Sequence, residues 1–131
     1  MEISISIEQA KEPVAVMRLT GDLDASNFLE VVTKAQKIYK NPARDLIIDL
    51  SKVPYISSAG LEAIHKIALL YSGVPQEVEE NNGPDFTNSS TARKHVKLLS
   101  PPPAVDQILE TTGLKLFFKV FKDLDSALKS F

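Results

Sequence analysis

The chain has no cysteine, and this absence excludes several classes of site. None of its 131 residues can supply a disulfide, a thiolate zinc site, an iron–sulfur cluster or a cysteine nucleophile. Long hydrophobic runs are missing too, since no stretch approaches the roughly 20 apolar residues of a membrane-spanning helix. An excess of charge of one sign is also missing. The 15 basic and 17 acidic side chains give a net charge of −2, which predicts neither nucleic acid nor a membrane as a direct partner.

The motifs of common catalytic and cofactor sites are missing as well. There is no glycine-rich phosphate loop, no GxGxxG and no GxSxG nucleophile elbow. Asp22, Asp24 and Ser26 resemble part of a calcium loop, but the glycine and the distal glutamate of such a loop are lacking. A turn that caps a helix is the preferred interpretation. We therefore expect no cofactor, no metal and no enzymatic activity.

What the chain does contain is an ordinary globular composition. Apolar residues make up 44% and charged residues 24%, which is far from the composition of disordered chains. A chain of this length commonly forms one domain, which predicts a single domain over residues 1–131. The first eight residues lack the basic and then apolar layout of a signal peptide. We therefore expect a soluble, cytoplasmic protein.

The spacing of apolar residues predicts an α/β fold. Period-two alternation and short apolar runs predict strands over 2–8, 14–19, 46–50, 96–99 and 116–120. Helical spacing with capping residues predicts helices over 28–40, 59–71, 105–112 and 124–131. Strands that alternate with helices indicate a largely parallel sheet of about five strands with about four covering helices. This arrangement places Ile47 and Leu50 in the core and Ser58 exposed at a helix N-terminus.

One long stretch fits neither pattern. Residues 74–94 contain three Asn, two Pro and few apolar side chains. The stretch is long for a connection inside a compact domain. We predict a flexible insertion that contributes little to stability.

The most informative segment runs from Asp49 to Leu61 and joins a buried strand to a helix. It places Ser57 and Ser58 together at the start of that helix. One serine can cap the helix by accepting a backbone hydrogen bond. A phosphate on a serine there would lie at the positive end of the helix dipole, so the fold would tolerate it. Gly60, which has no side chain, allows another backbone or a partner to approach closely.

This segment and two others resemble the STAS domain of the anti-sigma factor antagonist family. The other two are Leu19-Thr20-Gly21-Asp22-Leu23-Asp24, and the stretch from Thr112-Gly113-Leu114 to Leu128. The resemblance implies a mixed sheet with helices mostly on one face. It also implies a bacterial, phosphorylation-switched regulator of transcription. The unphosphorylated antagonist would bind a serine kinase that is also an anti-sigma factor, and so release sigma factor. Phosphorylation would break that complex, and a metal-dependent serine phosphatase would restore it.

Carried over by position, the family's phosphoacceptor falls on Ser58. Many family members have an aspartate just before the acceptor, whereas this chain has Ser57, which makes Ser57 a competing acceptor. The resemblance assigns partner binding to seven residues: Asp22, Asp24, Ser57, Ser58, Ala59, Gly60 and Leu61. The alternative is a STAS module that senses a ligand or acts as a scaffold, with Ser58 serving only as a cap.

Overall fold

The structure is a computed structural model that describes residues 1–40, 45–72, 95–116 and 118–131. The insertion predicted at 74–94 lies outside the described residues. Across the described parts of the chain, no helix is both long enough and apolar enough to cross a lipid bilayer.

Five strands form one sheet in the order of the sequence. They are β1 (Glu2–Gln9), β2 (Pro13–Thr20), β3 (Asp45–Lys52), β4 (Val96–Leu99) and β5 (Lys119–Phe121). β1 pairs antiparallel with β2, and every later pair is parallel. Four helices lie within the described residues: α1 (Phe28–Lys40), α2 (Ser58–Ser72), α3 (Pro103–Thr111) and α4 (Leu124–Lys129). The predicted mixed, largely parallel sheet with four helices is confirmed.

The helices cover the two faces of the sheet unequally. The main core lies under α1, α2 and α3, whose apolar residues pack on one face of β2, β3 and β4. A smaller core lies on the other face, where Ala127 of α4 packs against Val14, Val16, Ile47 and Leu99. Because β3 is central and covered on both faces, its apolar residues form a nearly continuous run, interrupted only by Asp49. Ile47 and Leu50 are fully buried, as predicted.

Two predicted elements need correction. The fifth strand begins at Lys119 rather than Leu116, because Leu114–Leu116 form a turn of 3-10 helix. Leu114 and Phe118 pack into the main core on either side of this turn. Part of the apolar run that predicted the fifth strand therefore lies in a helical turn. β1 is also less covered than its alternating pattern suggests. Ile3 packs against the core, but Ile5 and Ile7 stay 43% and 52% exposed at the edge of the sheet.

Candidate functional site

The segments after β2 and β3 meet at the carboxyl-terminal edge of the sheet. A parallel bridge joins Leu23 to Ile56. Its hydrogen bonds run from the Leu23 N–H to the Tyr55 carbonyl and from the Ser57 N–H to the Leu23 carbonyl, each at 3.0 Å. Leu23 and Ile56 are both buried. The loop that precedes α1 and the loop that precedes α2 are therefore one connected unit.

Gly60 allows this connection, because any larger residue would collide with it. A Cβ atom at position 60 would lie 2.4 Å from the Leu23 carbonyl oxygen and 2.8 Å from Cγ1 of Ile56. Gly60 is itself buried. Its missing side chain therefore admits another backbone of the same chain, which is one of the two roles predicted for it.

The two serines at the start of α2 occupy different positions. Ser57 is the N-cap: its Oγ accepts a hydrogen bond from the Gly60 N–H at 3.2 Å, and its carbonyl accepts one from the Leu61 N–H at 2.9 Å. Ser58 is the first residue of the helix, and it is exposed. Since α2 begins one residue earlier than predicted, Ser57 rather than Ser58 caps it. The prediction that Ser58 is exposed at a helix N-terminus is confirmed.

The Asp22–Asn27 turn flanks this helix start. The Asp24 carboxylate accepts hydrogen bonds from the Ser26 N–H at 2.9 Å and from the Ser26 hydroxyl at 2.5 Å. The Ser26 hydroxyl, and next its N–H, hold the pKa of Asp24 below its usual value. The Asn27 side chain closes the turn by donating to the Asp22 carbonyl at 2.7 Å. Asp24 therefore stabilises the turn that precedes α1, which agrees with the interpretation of this segment as a helix-capping turn.

The structure brings the seven predicted site residues into one region but exposes them unequally. Asp22 and Ser58 are exposed, and Asp24, Ser57, Ala59 and Leu61 are half-buried. Leu61 packs against the main core, and Gly60 is buried beneath the Leu23 carbonyl. The residues presented to solvent are therefore chiefly acidic or hydroxylic.

Sequence reasoning missed two exposed apolar residues near the site. Leu29 in the first turn of α1 is 74% exposed, and Tyr55 just before the bridge is 53% exposed. The first turn of α1 is held against α2, where the Lys66 ammonium lies 5.8 Å from the centre of the Phe28 ring. The sequence does carry a signal for Leu29, because it falls outside the apolar face formed by Val31, Ala35 and Ile38.

Comparison with known proteins identifies the family. The model of the STAS domain family matches residues 5–72, which is more than half of the chain. The chain belongs to the STAS domain family. The match covers both loops of the bridge and the whole of α2, so the site described above lies inside the family's own sequence pattern.

Solved structures show that the STAS fold extends over nearly the whole chain. A candidate anti-sigma factor antagonist from Thermotoga maritima superposes with a TM-score of 0.73 at 18% identity, over 97% of this chain and 92% of its own. An anti-sigma factor antagonist from Mycobacterium paratuberculosis gives 0.68 at 21% identity, over 98% and 93%. The phosphorylated form of the Bacillus cell fate determinant SpoIIAA gives 0.58 at 14% identity, over 95% and 96%. This STAS domain thus has the fold of anti-sigma factor antagonists.

Proposed function

We propose that this STAS domain is an anti-sigma factor antagonist switched by phosphorylation of Ser58. Unphosphorylated, it binds a serine kinase that is also an anti-sigma factor, and sigma factor is released. The kinase phosphorylates Ser58 and the complex dissociates, and a metal-dependent serine phosphatase reverses the modification. In this role the domain acts by binding and has no catalytic activity of its own.

The proposal depends on the different roles of the two serines at the start of α2. Ser57 is half-buried, and its hydroxyl oxygen accepts the capping hydrogen bond from the Gly60 N–H. Ser58 is exposed, and within the described residues its hydroxyl makes no hydrogen bond. A kinase can reach the exposed Ser58 hydroxyl directly, whereas the Ser57 hydroxyl is half-buried and its oxygen is already engaged by the Gly60 N–H. The geometry therefore favours Ser58 over the competing acceptor.

The charge around Ser58 explains how a phosphate could end an interaction without unfolding the domain. Glu62 lies four residues after Ser58 on the exposed side of α2, and Asp22 is exposed on the connected loop. A phosphate would add about −1.5 to −2 charge to a surface that already carries these two carboxylates. A partner that fits the unphosphorylated surface would then face an unpaired, desolvated charge, at a cost of several kcal/mol. The phosphate does not destabilise the folded domain, because an anion at a helix N-terminus interacts favourably with the helix dipole, by about 0.3–1 kcal/mol.

The comparison with SpoIIAA supports a phosphorylation switch in general, but it does not select between the two serines. That protein is known in a phosphorylated form, and its fold is shared by this chain. Its identity to this chain is only 14%, so the assignment of the phosphate to Ser58 depends on the local geometry described above.

The test is to map phosphorylation in protein co-expressed with serine kinases encoded near its own gene. Intact mass and peptide sequencing should find one phosphate, on Ser58, and none in Ser58→Ala. Ser57→Asp is the matched variant, because aspartate keeps an N-cap oxygen and removes the competing hydroxyl. It should still accept one phosphate. A phosphate on Ser57 would contradict the assignment. If no kinase modifies the protein and a small molecule raises its melting temperature, the alternative ligand-sensing function would replace it.

A further inference from the structure

The two edges of the sheet differ in how they are protected against pairing with another strand. β5 is only three residues long, begins with the exposed Lys119 and is followed by the exposed Lys122. Short edge strands and lysines are common means of preventing edge-to-edge association. β1 is eight residues long, contains neither lysine nor proline, and pairs with β2 over eight residues without a register shift. The β1 edge lacks the protection that β5 has.

Exposed large apolar residues in the described part of the chain are concentrated at β1. Of five large apolar residues that are exposed there, three lie on or beside this strand: Met1 at 38%, Ile5 at 43% and Ile7 at 52%. Since successive strand side chains alternate between faces, Ile5 and Ile7 share one face with Ile3, and the same alternation carried one residue back assigns Met1 to that face. The opposite face carries Glu2, Ser4, Ser6 and Glu8. The edge thus offers an apolar row on one face and a small, polar row on the other.

From this pattern we propose that β1 pairs antiparallel with β1 of a second copy of the chain, across a two-fold axis at Ser4. The strand is self-complementary in this register. Ile3 of one copy lies opposite Ile5 of the other, and Ile7 lies opposite Met1, so the apolar row continues across the interface. On the other face, Ser4 meets Ser4 and Glu2 meets Ser6. Apolar cross-strand pairs stabilise such a ladder, and no like charges lie opposite each other.

Neighbouring registers are less favourable. An axis at Ile5 uses the palindrome Glu2-Ile3-Ser4-Ile5-Ser6-Ile7-Glu8, but it places Glu2 opposite Glu8 twice, and directly opposed like charges destabilise a sheet. An axis at Ser6 places Ile3 opposite the amide of Gln9. The whole chain adds little repulsion between copies, because its net charge is only −2. A single added strand buries less area than a standard interface, so the dimer is weak and depends on concentration.

Sedimentation equilibrium tests the association. The wild-type chain should pass from monomer to dimer between micromolar and near-millimolar concentrations. Ile5→Lys should raise the dissociation constant about 100-fold, because each dimer then carries two charges within the apolar row. Leu29→Lys is the matched control, since it changes a more exposed leucine on α1 and should leave dimerisation unchanged. If Ile5→Lys fails to fold, Ile7→Lys tests the same row at a more exposed position. A wild-type chain that stays monomeric throughout this range would overturn the proposal.

Disulfide trapping tests the register, and the natural absence of cysteine makes each introduced thiol unique. Under oxidation Ser4→Cys should cross-link to itself, since opposed Cβ atoms in an antiparallel pair lie about 4.5–5.5 Å apart. Ser6→Cys is the control on the same face. Its two copies would be four residues out of register, about 13 Å along the strands. It should not cross-link to itself, but it should cross-link to Glu2→Cys in a mixture. Self-cross-linking of Ser6→Cys at the rate of Ser4→Cys would refute the axis at Ser4.

Discussion

Replacing Gly60 by alanine adds a methyl group at the place where α2 touches the loop before α1. That methyl carbon would lie 2.4 Å from the Leu23 carbonyl oxygen and 2.8 Å from Cγ1 of Ile56, whereas real Cβ contacts are essentially never under 3.0 Å. The carbonyl must retreat by more than half an ångström. It also accepts the Ser57 N–H at 3.0 Å, so the retreat strains a hydrogen bond of the bridge.

The magnitude follows from two opposing effects. Forcing an extra carbon into a packed site costs about 1–3 kcal/mol. Replacing glycine by alanine inside a helix stabilises the folded state by at most about 1 kcal/mol. Because both contacts are shorter than 3.0 Å and one is with a backbone oxygen, the cost lies at the upper end of this range. The balance is then a loss of about 2 kcal/mol in the free energy of unfolding. In a domain of this size, each 1 kcal/mol lowers the melting temperature by about 2–8 °C.

Calorimetric melting of wild type and Gly60→Ala measures this loss. Ser58→Ala is the matched control, because it changes an exposed residue two positions away and should alter stability by no more than about 0.5 kcal/mol. An unchanged or raised melting temperature in Gly60→Ala would refute the reasoning. If that variant were fully stable yet failed to bind its partner, Gly60 would contact the partner rather than Leu23.

Three further predictions concern other parts of the fold. Asp123→Ala should lower the melting temperature and the urea midpoint, because the Asp123 carboxylate caps α4 by accepting a 2.8 Å hydrogen bond from the Ser126 N–H. Tyr71→Phe should cost about 0.5–1.5 kcal/mol in the same experiments, since the buried Tyr71 hydroxyl donates to the Ala35 carbonyl of α1 at 3.0 Å. Burial lowers the pKa of His65, and Glu62 only partly opposes the shift. As the pH falls, the imidazole of His65 therefore binds a proton more readily in the unfolded chain than in the folded domain. The free energy of unfolding should then decrease as the pH drops below about 6.5. Urea titrations of His65→Gln at several pH values should show a smaller decrease than those of the wild type.

The sequence predicted most elements of the fold because their signals are local. The run Val96–Leu99 is bounded by polar residues, and the structure places β4 over the same four residues. Gly113 ends α3 with a φ of +80°, as its predicted role as a C-terminal cap requires. The predicted start of β5 was wrong, because apolar periodicity does not distinguish a short strand from a buried helical turn. In that run, Leu116 belongs to the turn and Lys119 begins the strand.

The site was predictable as a segment but not in its internal roles. Two adjacent serines at a helix start look alike in sequence, and only the position of the first helical residue decides that Ser57 caps while Ser58 is exposed. The tight fit of Gly60 depends on a contact with Leu23, 37 residues earlier in the chain. No local pattern reports a contact between segments so far apart.

Titration calorimetry of the domain against its kinase tests the central claim most directly. Wild type and Ser58→Ala should bind equally well in the absence of nucleotide. Ser58→Asp should bind at least about 100-fold more weakly, since a penalty of about 3 kcal/mol corresponds to that factor. All three should melt within a few degrees of one another, because an anion at a helix N-terminus does not harm the fold. Binding of Ser58→Asp as tight as that of wild type would contradict the phosphorylation switch.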